Sequence, residues 1–373
     1  MIKPRKLLQE LVALPSVNPA FLPAGHPRAG EKPVGEFLAT TAATAGLEVE
    51  FQPVLPGRDN FFARLLPSGD VQQRILLAPH LDTVNGTDDQ FVPRVENGRL
   101  YGRGACDTKG SVAAMMAALC NVARSGRRPQ QTELIFAGLV DEEDAQSGSR
   151  ALKEFEADLA VVGEATNLKV VTCHKGSLWL RLETHGRAAH GARPELGRNA
   201  VFEMARVVQV LEREYAEQLR RRMHPLLGRP TVNVGAIAGG TQPNIVPDHC
   251  YILVDRRTLP RETEASVRQE LLELLKQHQI KATLGKHKPV PCLPLETHPA
   301  LPLVKELMRT ARQRLAVGVD YFCDASVLAH DGIPSVVFGP GDIAQAHTAN
   351  EWISLSQLDQ ATALLETYFR ALP

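Results

Sequence analysis

At about 100 to 200 residues per domain, the 373 residues of this chain point to two domains rather than one core. Charged residues make up 23% and AVILMFWYC residues 44%, and 42 basic side chains balance 42 acidic ones, which excludes a disordered chain and a global field for nucleic acid or an anionic membrane. The longest apolar stretch, 112–120, is nine residues, short of the roughly 18 a membrane span needs, and Gln9, Glu10 and Pro15 break any secretory leader, so a cytoplasmic protein is expected.

In chain order, 74–78 reads as a short buried strand, 111–122 as an Ala-rich helix, and 133–140 and 158–162 as further buried strands. Strands separated by helical patterns predict an α/β domain with a mixed, mostly parallel sheet covered by helices. After Gly176 the rhythm changes. Residues 178–184 alternate as a strand, a long helix is expected from about 199 to 219, and strands at 231–238 and 250–254 precede an amphipathic helix at 262–278. Pro289, Pro291 and Pro294 punctuate the exit. From Leu301 the chain resumes with a helix, a strand at 334–338 and a last helix from about 354 to 372. The expected organisation is two-domain: a catalytic metal-binding domain of residues 1–177 and 291–373, interrupted by a smaller α+β lid or dimerisation domain at 178–290.

The six cysteines (106, 120, 173, 250, 292 and 323) form no CxxC pair, so a metal site here must be built from His and carboxylates. Such residues stand just past the expected strand ends, where open α/β sheets place their sites. His80 and Asp82 follow the first strand, so that a metal-binding imidazole could give its other N–H to the carboxylate. Asp107, in Gly102-Arg103-Gly104-Ala105-Cys106-Asp107, precedes the Ala-rich helix. A helix cap is its simplest role, and two cations bridged by one carboxylate is the alternative. Asp141-Glu142-Glu143-Asp144 ends a strand apolar enough that its charges call for a cation. Glu164 ends the next strand, and His347 follows the strand at 334–338. The glycines make neither GxGxxG nor a P-loop, and no GxSxG elbow competes. His, Asp, Glu, Glu and His with a spare Glu suit two divalent ions, chiefly Zn2+, with Co2+ or Mn2+ as alternatives. Two such ions about 3.5 to 4 Å apart would share a hydroxide and polarise a carbonyl.

In order and in combination, these motifs resemble the dinuclear zinc amidohydrolase family of acetylornithine deacetylase, succinyl-diaminopimelate desuccinylase, aminoacylase and glutamate carboxypeptidase. The H-x-D motif matches His80 and Asp82, G-R-G-x-x-D matches 102–107, D-E-E matches 141–143 and G-E-x-T matches 163–166. G-P-G with a later A-H-T-x-N-E matches 339–341 and 346–351. The resemblance implies one metal on His80, Asp107 and Glu164 and a second on Asp107, Glu143 and His347, with Glu142 as general base and Asp82 supporting catalysis. It also implies a lid whose His190 reaches a neighbouring subunit to stabilise the oxyanion, hence a homodimer. Asn244 and Arg257 would hold the polar end of a small N-acyl amino acid or dipeptide. Phe322-Cys323-Asp324-Ala325 stands where many relatives have Gly-Thr-Asp-Ala, and Ala165 where proline is commoner; neither departure removes a ligand.

Other polar residues read as structural. His174, His185, His249 and His330 lie near strands or helix ends, and Arg220-Arg221-Arg222 suit a helix C-terminus. The expected activity is metal-dependent hydrolysis of an amide bond, with an aminopeptidase of the same family and a non-catalytic metal-binding protein as alternatives.

Overall fold

The computed structural model describes residues 1–288 and 290–373; Pro289, one of the three prolines expected at the exit from the insert, lies outside the described residues. The chain divides into two compact units. One comprises Met1–Thr172, Thr297–Val317 and Cys323–Pro373, and the other Cys173–Glu296 and Gly318–Phe322.

The first unit is built on a mixed sheet whose strands lie in the spatial order Glu48–Leu55, Arg58–Leu65, Thr132–Gly138, Gln73–Pro79, Leu159–Gly163 and Ser335–Val337. The first two form a hairpin turned at Pro56-Gly57, where Gly57 takes a φ of 70° that a side chain would resist. Arg58–Leu65 runs antiparallel to Thr132–Gly138, and the remaining neighbours named here are parallel. Parallel neighbours need a crossover, and helix Lys109–Arg124 supplies the one between Gln73–Pro79 and Thr132–Gly138.

Thr132–Gly138 and Leu159–Gly163 are buried along their whole length, which explains their unbroken apolar character. Each fully buried Leu, Ile or Phe there is worth about 1.5–3 kcal/mol. Helix Lys109–Arg124 is buried at every position from Lys109 to Val122, because its Ala and Gly residues allow close approach. It packs against helices Pro4–Val12 and Leu355–Ala371, while Lys32–Thr44 covers the hairpin. From Pro79 the chain leaves for a neighbour on one side, and Leu159–Gly163 later fills the other side. That reversal opens a crevice beyond Pro79 and Gly163.

The second unit carries an antiparallel sheet in the order Thr231–Gly239, His249–Thr258, Gly176–His185 and Ala282–Lys286. His249–Thr258 alternates between half-buried and buried residues, so one face meets a core of Leu180, Leu182, Ile252, Met204, Val207, Leu271 and Leu274. Asn199 caps helix Ala200–Val210 by accepting from the N–H groups of Val201 and Phe202. The single helix expected at 199–219 is interrupted by a π-turn at Leu211–Tyr215 before Ala216–Arg220. Among the described residues, no helix is long and apolar enough to cross a membrane.

Candidate metal centre

His80 extends the strand Gln73–Pro79 and bridges to Leu139, so the sheet itself fixes its backbone. Its buried imidazole places Nε2 3.1 Å from Asp107 Oδ1 and 3.7 Å from Glu164 Oε1. Nδ1 lies 3.0 Å from the Asp82 carbonyl oxygen and 3.4 Å from the carboxylate Oδ1. The carbonyl is therefore the closer acceptor for the second imidazole nitrogen. The Asp82 carboxylate is also engaged elsewhere: it accepts the backbone N–H groups of Glu142 and Glu143, each at 3.1 Å.

Asp107 does not cap the helix that follows. The capping position is Thr108, which makes no side-chain cap bond, and the Asp107–Thr108 peptide is cis. The two Asp107 oxygens instead face opposite histidines, Oδ1 towards His80 and Oδ2 towards His347 Nε2 at 3.2 Å. His347, half-exposed on a loop with φ of 59°, also lies 3.1 Å from Glu143 Oε2. The turn around Asp107 is held by Glu351, whose carboxylate accepts the N–H groups of Gly104 (3.0 Å), Cys106 (2.8 Å) and Asp107 (3.0 Å) and pairs with Arg103 at 2.8 Å. Two groups of ligand atoms result, each within 4.8 Å: His80, Asp107 and Glu164, and Asp107, Glu143 and His347.

The electrostatics favour cations in this crevice. Burial pushes the Glu142 carboxyl well above the carboxylate range, with Asp324, Glu164 and Glu143 adding to the rise. Glu164 is raised in the same way by burial, with Asp107 and Asp324 adding. Burial opposes the His80 imidazolium, yet hydrogen bonds to Asp107 and Asp82 outweigh it and hold the pKa well above 6.5. Hydrogen bonds to Asp107 and Glu143 lift His347 to about 10. Buried acids that retain protons, and imidazoles that bind them tightly, are answering an excess of negative charge. Glu143 Oε1 is moreover buried with no hydrogen-bond partner among the described residues. An orphaned carboxylate oxygen beside two imidazoles and two further carboxylates fits a pair of borderline divalent metals.

The first unit thus brings together His80, Asp82, Asp107, Glu142, Glu143, Glu164 and His347. His190, Asn244 and Arg257 belong to the second unit. There His190 bridges to Ile245, and the Gly191 N–H donates to the Asn244 carbonyl at 2.7 Å, so two of the three share one loop pair. Arg257 pairs with Asp255 at 3.0 Å. Structural explanations suffice for His174, enclosed at the end of a strand, and for His249, paired with Glu183 at 2.7 Å. Arg222 is engaged by Glu262 and Glu270. Sequence reasoning missed Asn18, Glu31 and Arg58, which contact the Asp82–Asp141 region, and the binding role of Glu351.

Histidines and carboxylates converging on one shared aspartate, at the C-terminal ends of a mixed sheet, give the class: a metallohydrolase. The chain belongs to peptidase family M20/M25/M40, whose model matches residues 76–371. It is 29% identical to an acetylornithine deacetylase of Myxococcus xanthus, over 97% of this chain and 95% of that one. Its fold matches aminopeptidase PepT of Bacillus cereus (TM-score 0.79, 22% identity, 99% of this chain and 97% of that one). It also matches an M20 family metallo-carboxypeptidase of Sulfolobus solfataricus (TM-score 0.78, 17% identity, 99% of each chain). The protein is a hydrolase of amide or peptide bonds.

Proposed function

We propose that the protein cleaves the amide bond of an N-acyl amino acid or small dipeptide, with Glu142 as general base. One observation carries this reading: Glu142 is fixed through its N–H beside both ligand groups yet belongs to neither. A protein that only stored metal would need the ligands and no spare acid beside them.

His80, Asp107 and Glu164 would hold one ion and Asp107, Glu143 and His347 the other, Zn2+ foremost, with Co2+ or Mn2+ as alternatives. When bound, such ions polarise a carbonyl and draw the pKa of water from 15.7 towards about 7. Glu142 takes the proton of the attacking water and returns it to the leaving nitrogen. Asp82 holds His80 and the backbone of Glu142 in one frame. We assign His190 to the oxyanion, contributed by the partner of a homodimer, and Asn244 and Arg257 to the substrate carboxylate. The likeness to acetylornithine deacetylase supports an acyl substrate. The exposed edge strand Thr231–Gly239 with Ile237 in solvent, and Phe202 exposed on helix Ala200–Val210, support a dimer formed through the second unit. Six buried cysteines without a disulfide suit a cytoplasmic location.

One feature favours an aminopeptidase as the second reading. Asp324, lifted to about 6 chiefly by burial, has an oxygen without a hydrogen-bond partner and interacts with Glu142 and Glu164, so an acid for a substrate amine is at hand. Metal content, with hydrolysis of N-acetyl-ornithine, N-succinyl-diaminopimelate, N-acetyl-methionine and glutamate-terminated dipeptides before and after chelation, tests both readings. About two ions per chain and chelator-sensitive amine release from acylated substrates are expected. Turnover of free-amine peptides alone would favour the aminopeptidase, and absence of metal binding would remove the site.

A further inference from the structure

A buried chain of polar groups leads from the site into residues that precede the family match, which begins at residue 76. Asn18, completely buried, donates from Nδ2 to Asp82 Oδ2 at 2.8 Å and to Asp141 Oδ1 at 3.0 Å. Arg58 Nη1 donates to the same Asp141 oxygen at 2.8 Å, and its Nε and Nη2 grip the Glu31 carboxylate at 2.9 and 2.5 Å. Glu31 in turn accepts the Asp141 N–H at 3.2 Å, and Ser147 donates to the second Asp141 oxygen. Glu31 stands at the N-cap position of helix Lys32–Thr44 but makes no side-chain cap bond, so its carboxylate is committed to Arg58 and Asp141.

These contacts converge on two residues that set the active loop. Asp141 adopts a left-handed φ of 70°, and immediately afterwards the Glu142 and Glu143 N–H groups both reach Asp82. Asp82 in turn touches His80. Asp82, Asp141 and Glu31 are three buried carboxylates; Arg58 pairs with Asp141 and Glu31, and Asp82 lies beside His80 without contacting Arg58. A neutral amide suits the gap between two of them: it donates to both while adding no charge and needing no proton. A carboxylate there would repel both neighbours.

We propose that Asn18, backed by the Arg58–Glu31 pair, is a positioning residue for the metal centre. It locks Asp82 to the Asp141 turn so that His80, Glu142 and Glu143 are presented together. The inference rests on the metal-centre reading above. Changes to partners outside the ligand set typically cost about 10–100-fold in metal affinity or activity.

The test is a titration of the metal-free full chain with Co2+, following visible d–d absorption, alongside thermal unfolding. The variants are Asn18→Ala, Arg58→Met and Arg58→Lys. Asn121→Ala is the control: it removes partly buried hydrogen bonds to Ile2 and Glu366, which lie outside this network. Co2+ affinity is expected to fall about 10-fold or more, with an altered absorption band, in Asn18→Ala and Arg58→Met, and by less in Arg58→Lys. Asn121→Ala should lower the Tm while keeping wild-type affinity and band. If Arg58→Met does not fold, Asn18→Ala and Arg58→Lys carry the test. Wild-type affinity and band in Asn18→Ala overturn the positioning role and leave the metal centre standing. A loss shared by Asn121→Ala that follows Tm also overturns it. Failure of the unaltered protein to bind Co2+ overturns both.

Discussion

Glu142 and Asp107 are both buried acids of one crevice, but their partners divide their roles. Asp107 shows one oxygen to each histidine, whereas Glu142 contributes a backbone N–H to Asp82 and lies outside both ligand groups. Glu142→Gln should therefore lose about 10²-fold or more in kcat while retaining its metal, and Asp107→Ala should lose metal first. Metal analysis beside single-substrate kinetics decides, and near-normal turnover in Glu142→Gln would remove the base. The five ligand candidates were legible because each stands in a recognisable motif, four of them past strand ends and Asp107 before a helix. Asn18, Glu31 and Arg58 were not, since their roles depend on partners 27 to 123 residues away and no local spacing marks them. Asp107 also shows how a local rule can mislead: a carboxylate before a helix suggests a cap, and here its two oxygens face two histidines instead.

The elements that carry the site meet at points with no spare room. A Cβ on Gly163 would approach Pro79 Cβ to 2.8 Å and Ser111 Cβ to 2.9 Å, where two strands and the Ala-rich helix touch. Gly163→Ala should cost about 1–3 kcal/mol by overpacking and should weaken metal binding, because Pro79 precedes His80 and Gly163 precedes Glu164. Urea unfolding of the metal-free form separates the two effects; unchanged stability would mean that the strands yield freely. The buried strands and the Ala-rich helix could be read from composition and period. Helices Pro4–Val12 and Lys32–Thr44 and the hairpin at Pro56-Gly57 went unassigned, although the Pro-Gly turn was a usable mark. Around the π-turn at Leu211–Tyr215 the buried residues Leu211, Tyr215 and Leu219 still recur every fourth position, as in an ordinary helix, so the pattern could not announce it.

For the molecule as a whole, stability and assembly follow from groups outside the crevice. His174 is fully buried, and burial depresses its pKa to about 4 from an ordinary 6.5. Between those values the unfolded chain takes up the proton and the folded one does not. Its contribution therefore favours unfolding as pH falls from about 6.5 to 4, by about 3 kcal/mol in total, and is constant outside that window. The pH dependence of unfolding should flatten by that amount in His174→Gln; identical slopes would show that His174 does not carry it. The exposed edge strand leads to a second expectation, that Ile237→Lys shifts the chain from dimer to monomer in sedimentation. An unaltered protein that is already monomeric would end that expectation.

Glu351 ties down the turn around Asp107 from 244 residues further along the chain. A ribosome therefore releases His80, Asp107, Glu143 and Glu164 well before the group that orders their turn, or the second histidine, exists. Neither ligand group can reach its final form until residue 351 has emerged, so the nascent chain carries its acids unclosed through most of its synthesis. Completion of the candidate metal centre is thereby a late event in the life of the polypeptide, and truncation anywhere before residue 347 takes the histidine from its second group of ligand atoms.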